Sequence, residues 1–147
     1  MTVHVKEVIT RQDLKSFIQF PHELYHDNPY WVPPLFQDEV NTLCSDKNPA
    51  FETCEARLWL AYRDGKITGR IAGILNHPHI ERWGQRYLRF GWIDFIDDQE
   101  VSAALLQTVE NWAKEQNLTA VHGPLGFSDM DHSGMLVEGF DEMATMI

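Results

Sequence analysis

The chain has 147 residues, 44% hydrophobic and 12% aromatic, which fits one globular domain spanning residues 1–147 with a single substantial core. Its formal net charge of −10 argues against a nucleic-acid partner, which would need a basic footprint, and no stretch approaches the roughly 20 apolar residues of a membrane span. Cys44 and Cys54 make neither a disulfide framework nor a CxxC motif, and the start lacks a secretory pattern, so a cytoplasmic location with two free thiols is expected.

In chain order, Val3 to Ile9 reads as a short alternating strand. Thr10 is then placed to N-cap a helix with Asp13 at its third position, and Leu14, Phe17 and Ile18 fall on one face. Pro21 is expected to end or kink that helix. The Asp27 to Pro34 segment, with three prolines, Tyr30 and Trp31, reads as a stiff loop packed by its aromatics. A second helix is expected over Leu35 to Leu43, with Leu35, Val40 and Leu43 inward, followed by a turn at Asp46 to Ala50.

Arg57 to Tyr62 and Ile67 to Leu75 flank Arg63-Asp64-Gly65-Lys66, and Asp-Gly between two apolar runs signals a hairpin. Asn76 through Gly84 reads as a connecting loop. A third strand, Arg86 to Ile96, places Leu88, Phe90 and Trp92 on one face and Tyr87, Arg89, Ile93 and Phe95 on the other. Helical spacing follows: Val101, Ala104, Leu105, Thr108, Val109 and Trp112 form one apolar stripe. Asp97 suits the N-cap and Glu100 would complete a capping box. Thr119 to Val121 is expected to run parallel to the 86–96 strand, because a helix separates them. Gly123 to Gly126 breaks it. Ser128 to Asp131 reads as a cap for a weaker helix over Met130 to Glu138, with Gly139 just past its end.

Charge is unevenly placed along this series. Residues 1–93 carry eleven acidic and eleven Lys/Arg residues, whereas residues 94–147 carry eleven acidic residues and Lys114 alone. The helix start after the 86–96 strand would ordinarily attract an anion through its unsatisfied N–H groups and dipole. Here Asp94, Asp97, Asp98 and Glu100 crowd that end, and no glycine opens the backbone to a phosphate.

The element order, together with the Leu58 to Gly73 hairpin and the terminal Val137-Glu138-Gly139-Phe140, resembles the GNAT (Gcn5-related N-acetyltransferase) superfamily. The Asp27 to Pro34 and Lys47 to Phe51 segments look closest to a little-characterised bacterial acetyltransferase-like group within it. The resemblance implies an α/β (α+β) fold with a mixed, mostly antiparallel sheet flanked by helices. It also implies acetyl-CoA or another acyl-CoA held where two parallel strands splay, with pyrophosphate at the start of the long helix. The family's Gln/Arg-x-x-Gly-x-Gly/Ala loop is replaced here by Ile96-Asp97-Asp98-Gln99-Glu100, and the family's late Tyr, a proton donor to the leaving thiolate, by Met135. Two strands that normally follow the Gly-Phe position are missing, so a fragment of a longer protein, or strands borrowed from a partner copy, is expected.

By position, Ile93, Asp94, Phe95, Asp98, Gln99 and Glu100 are the cofactor-binding candidates, mainly through their backbone. Asp94 and Glu138 are the candidate general bases, and N–H groups near Ile93 to Phe95 the oxyanion site. His77 and His79, with Asp129, Asp131 and His132, match no defined metal motif and read as solvated loop groups, so no metal is expected. Two functions follow: acyl transfer from acyl-CoA to an amine, or a non-catalytic ligand-binding or interaction module with a degenerate CoA site.

Overall fold

The computed structural model describes residues 2–143. One five-stranded sheet runs in the order β1 (His4–Glu7), β2 (Cys54–Arg63), β3 (Lys66–Asn76), β4 (Tyr87–Phe95) and β5 (Ala120–His122). Every neighbouring pair is antiparallel except β4 and β5, which run parallel as the intervening helix requires. The fold class is therefore the expected α/β arrangement on a mostly antiparallel sheet.

Helices α1 (Arg11–Leu24) and α2 (Phe36–Leu43) cover one face, and α4 (Gln99–Glu115) covers the other. The alternation of β2 and β3 sorts their side chains. Trp59, Ala61, Ile71 and Leu75 pack with Val101, Leu105, Val109 and Trp112 of α4, while Leu58, Leu60, Ala72 and Ile74 pack with Phe17 and Ile18 of α1. The β2–β3 hairpin turns on two residues at positive φ, Asp64 (54°) and Gly65 (75°), the geometry that matches the twist of antiparallel strands.

Thr10 caps α1 as its sequence indicates, with both halves of the Thr10–Asp13 box formed. Pro21, however, lies inside α1, and the helix continues to Leu24. A proline there withholds an N–H from the Phe17 carbonyl. Arg70 of β3 makes good the loss, donating Nη1 to Phe17 O at 2.9 Å.

Several expectations are corrected. Residues 77–83 form a short helix, α3 (His77–Trp83), not a loop: Asn76 caps it by accepting from His79 N, Pro78 sits in the first turn where its missing N–H costs nothing, and Gly84 closes it at φ 66°. The helix expected over 130–138 is absent; Ser128 to Met143 is irregular, with Gly134 at φ 81°. Asp131 instead ties a turn, accepting from Phe127 N and Ser128 N. Its apolar residues Met130, Met135, Leu136, Val137 and Phe140 are exposed, so no packed body supports a helix there. Leu35 precedes α2 and is 66% exposed, and the buried positions of that helix are Glu39 and Leu43.

The remaining differences lie at β4. Its pairing with β3 slips between Arg70 and Ala72, where the two residues Trp92 and Ile93 face the single Ile71. This bulge, with Trp92 at φ 46°, shifts the alternation by one residue. Leu88, Phe90, Ile93 and Phe95 consequently share the α4 face, while Trp92 turns to the α1 and α2 side. Helix α4 begins one residue later than expected, and its N-cap is Asp98, which accepts from Glu100 N at 2.9 Å.

Candidate functional site

Strand β5 pairs with β4 only from Tyr87 to Arg89. Beyond this, Leu125 N donates to Phe90 O at 2.8 Å, and the following chain leaves the strand. The approach there is close: a Cβ on Gly91 would stand 2.3 Å from Leu125 O, so glycine is required. The last stretch of β4, Trp92 to Phe95, thus runs on with no β5 partner along its outer edge.

Alternation fixes what that edge presents. Ile96 N donates inward to Thr68 O, and Asp94 pairs with Arg70 in the same inward phase. Phe95, between them, therefore turns its N–H and C=O groups toward the open side, and Ile93, just before Asp94 and with its side chain on the same α4 face as Phe95, follows in the same phase. The bulge aims Trp92 at α2 within the stretch whose outer edge lacks a β5 partner.

The helix start nearby is closed by acids and one arginine. Asp98 caps it, and Arg63 at the end of β2 bridges Asp98 Oδ2 (2.8 Å) and Glu100 Oε2 (3.0 Å). Gln99 and Asp97 are exposed beside them. Among the first amides of α4, Glu100 N already has a carboxylate acceptor, and no glycine stands in the turn.

Asp94 does not stand with these acids. Its side chain lies on the opposite face, where Oδ2 accepts from Arg70 Nε at 2.9 Å and Oδ1 accepts from the Tyr25 hydroxyl at 2.7 Å. Arg70 is only 5% exposed and stacks over the Phe17 ring. Burial, reinforced by the Asp94 carboxylate, pushes the Tyr25 hydroxyl well above its ordinary value of 10, so it remains a donor. Glu138, the other candidate base, is exposed on the irregular segment.

A second carboxylate on this face went unnoticed in the sequence. Glu39 of α2 is 7% exposed, and its Oε2 accepts from Trp92 Nε1 at 2.9 Å. An acid in the first turn of a helix ordinarily reads as a dipole partner facing water. The one available signal was its spacing of four from Leu43, which places it on the inward face.

The histidines and acids read as solvated loop groups do not converge. His77 pairs with Glu55 at 2.8 Å, His79 with Gln85 at 3.0 Å and Arg89 at 3.3 Å, and Asp131 is spent on its turn. Among the described residues no group of three metal-ligating side chains forms. Cys54 is buried, which pushes its thiol upward and away from the reactive thiolate. A depression of about 680 Å³ is bordered by Asn48, Phe51, Arg57 and Trp112. It lies at the Cys54 end of β2, the opposite end of the sheet from Ile93 and Phe95.

No family model matches the chain. Its fold matches a tandem GNAT protein from the clavulanic acid biosynthesis pathway with a TM-score of 0.62 at 14% identity, over 82% of this chain and 37% of that one. A predicted acetyltransferase with acetyl-CoA from Clostridium acetobutylicum matches with a TM-score of 0.59 at 12% identity, over 82% and 79%. The chain is a GNAT-fold protein. Protein YghO of Escherichia coli (strain K12) is 42% identical over 137 residues, and the Bacterial ceramide synthase of Caulobacter vibrioides (strain NA1000 / CB15N) is 35% identical over 136 residues. These alignments cover 93% and 91% of this chain, which spans 35% of the length of each relative. Among the described residues no helix is long and apolar enough to cross a membrane.

Proposed function

We propose that this chain supplies the thioester-facing strand of an N-acyltransferase, acting within a longer protein to pass an acyl group from acyl-CoA to an amine. The observation that carries it is the unpaired edge of β4, where Ile93 and Phe95 turn two backbone N–H groups outward. Such donors suit a carbonyl oxygen that gains negative charge as it is attacked, and they need no reorganisation to act. Bound acyl-CoA would supply the activated carbonyl and the thiolate leaving group. The edge fits the thioester end of that cofactor; the start of α4, capped by Asp98 and braced by Arg63, does not fit its pyrophosphate. Asp94 would hold the strand in place, because Arg70 and Tyr25 occupy its carboxylate. The name of the Caulobacter relative, a ceramide synthase, agrees with amide formation on a long-chain amine.

The capped helix start favours a second reading, in which this part of the protein binds another ligand or its own remainder and the CoA site is degenerate. Thiol release by the full-length protein, supplied with acetyl-CoA or a long-chain acyl-CoA and an alkylamine, separates the two. Amine-dependent release that is lost when the β4 edge is disrupted supports acyl transfer. No release above the uncatalysed rate with either thioester would refute it.

A further inference from the structure

We propose that Glu39 is a positioning residue: through the indole of Trp92 it holds the β4 bulge, and the bulge decides which backbone N–H groups the open edge presents. This deepens the acyl-transfer reading and rests on it for the purpose of those groups, although the lock itself requires no turnover.

The ladder shows what the bulge does. Phe90 O accepts from Leu125 N, so Phe90 faces outward, away from β3. Uninterrupted alternation would repeat that phase at residues 92 and 94 and turn Ile93 and Phe95 inward, into hydrogen bonds with β3. Instead Asp94 pairs with Arg70 and Ile96 N donates to Thr68 O, so it is residues 94 and 96 that face inward. The extra residue of the bulge inverts the phase. Without it the edge would offer the amides of Trp92 and Asp94; with it the edge offers those of Ile93 and Phe95.

Trp92 does not adopt the bulge by preference. Its φ of 46° lies in the left-handed region, where a bulky residue stays only when its surroundings hold it. The neighbouring Gly91 would take such an angle freely, but the angle falls on Trp92. Gly91 has another task, admitting Leu125 O to 2.3 Å from where a Cβ would stand.

Holding the turn therefore falls to the Trp92 side chain. Its Nε1 donates to Glu39 Oε2 at 2.9 Å, and its ring meets Phe127 edge-on with 6.0 Å between centroids. Glu39 is buried, where a hydrogen bond to a carboxyl oxygen is stronger than in water. Its helix is itself anchored, since Leu43, one turn further on, packs in the core with Phe17 and Ile18. On the other side of Ile93, Arg70 and Tyr25 pin Asp94. Ile93 thus stands between two tethered neighbours, and the tether to Glu39 is the one at the residue where the phase inverts.

The test has a spectroscopic and a kinetic arm. In protein labelled at tryptophan and isoleucine, with Trp92 assigned through Trp92→Phe, two signs of the lock are expected. Trp92 should give the strong intraresidue HN–Hα Overhauser effect of a positive φ, and its indole N–H should exchange slowly with deuterated water. Glu39→Leu, which offers no acceptor, should abolish both and displace the Ile93 amide resonance; Glu39→Gln, which keeps an acceptor, should preserve them. In the full-length protein, Glu39→Leu should lower kcat at least about tenfold with KM for acyl-CoA within about twofold, the pattern of a contact made in the transition state. Glu39→Gln should recover most of that kcat. A Glu39→Leu protein that keeps Trp92 at positive φ, or loses it with kcat unchanged, overturns the proposal. If Glu39→Leu does not fold, Trp92→Phe removes the same hydrogen bond from the other side, and an unmoved Ile93 amide there is equally fatal. The spectroscopic arm contains no acyl-CoA, so absent turnover would refute acyl transfer while the lock is judged separately.

Discussion

The two faces of β4 are built on different principles. Toward α4, Leu88, Phe90, Ile93 and Phe95 meet Val101, Leu105 and Val109 in an apolar layer whose stability comes from burial and close packing. Toward α1 and α2, the same strand presents Asp94 to Arg70 and Tyr25, and Trp92 to Glu39, as buried polar pairs set among hydrophobic neighbours. One face can tolerate a change of shape within limits, since its contacts are non-directional. The other is all or nothing, because each polar group depends on a specific partner. A single bulged residue lies between these regimes, and it is there that the strand edge opens.

Removing one member of the polar face should therefore have the largest effect. Arg70→Met leaves the Asp94 carboxylate and the Phe17 carbonyl buried without their donor and is expected to cost about 3–5 kcal/mol in urea unfolding. Adding Asp94→Leu should recover much of that loss; if the double variant is no better than the single one, the cost is one of packing and the contrast between the faces collapses. On the apolar face, Leu105→Ala should cost about 3 kcal/mol through a cavity, with no second substitution in a polar group able to relieve it.

These differences also explain what could be read from the sequence. The Thr10–Asp13 box, the Asp64-Gly65 hairpin and the α4 stripe are local, and each was legible because its cause lies within a few residues. Pro21 inside α1 was not, since the donor that compensates it, Arg70, is 53 residues away. Alternation alone does not place Trp92, because it assumes an uninterrupted ladder and the bulge is set by pairing with β3. The apolar residues of the absent helix over 130–138 pack against nothing among the described residues. Of the candidate site, position alone points to Ile93, Asp94 and Phe95; that Asp94 faces away from Asp98, and that Glu39 is buried, are facts of tertiary structure.

Smaller effects sharpen the contrast. Trp92→Phe keeps an aromatic ring but strips Glu39 of its donor, and should destabilise by about 2 kcal/mol, more than a ring exchange on an apolar face would. Asp98→Ala should cost about 1 kcal/mol as a lost N-cap, read as a lower urea midpoint with unchanged slope. The last concerns pH. Burial first, then the Arg89 and His79 charges, hold His122 below its ordinary value of 6.5. The folded state thus binds fewer protons than the unfolded chain, so this contribution is present above 6.5 and is lost as the pH falls toward the depressed value. Melting temperature should decline through that window in the parent protein, and His122→Gln should flatten the decline.

The most direct test of the open strand edge is the binding of acetyl-CoA followed both by calorimetry and by the amide resonances of Ile93 and Phe95. At about a hundred times its Kd, the ligand should stabilise the fold by roughly 2.7 kcal/mol and shift those two amides more than their neighbours within β4. An unchanged melting temperature at millimolar acetyl-CoA, with both amides unmoved, would contradict the account and leave the degenerate-site reading in its place.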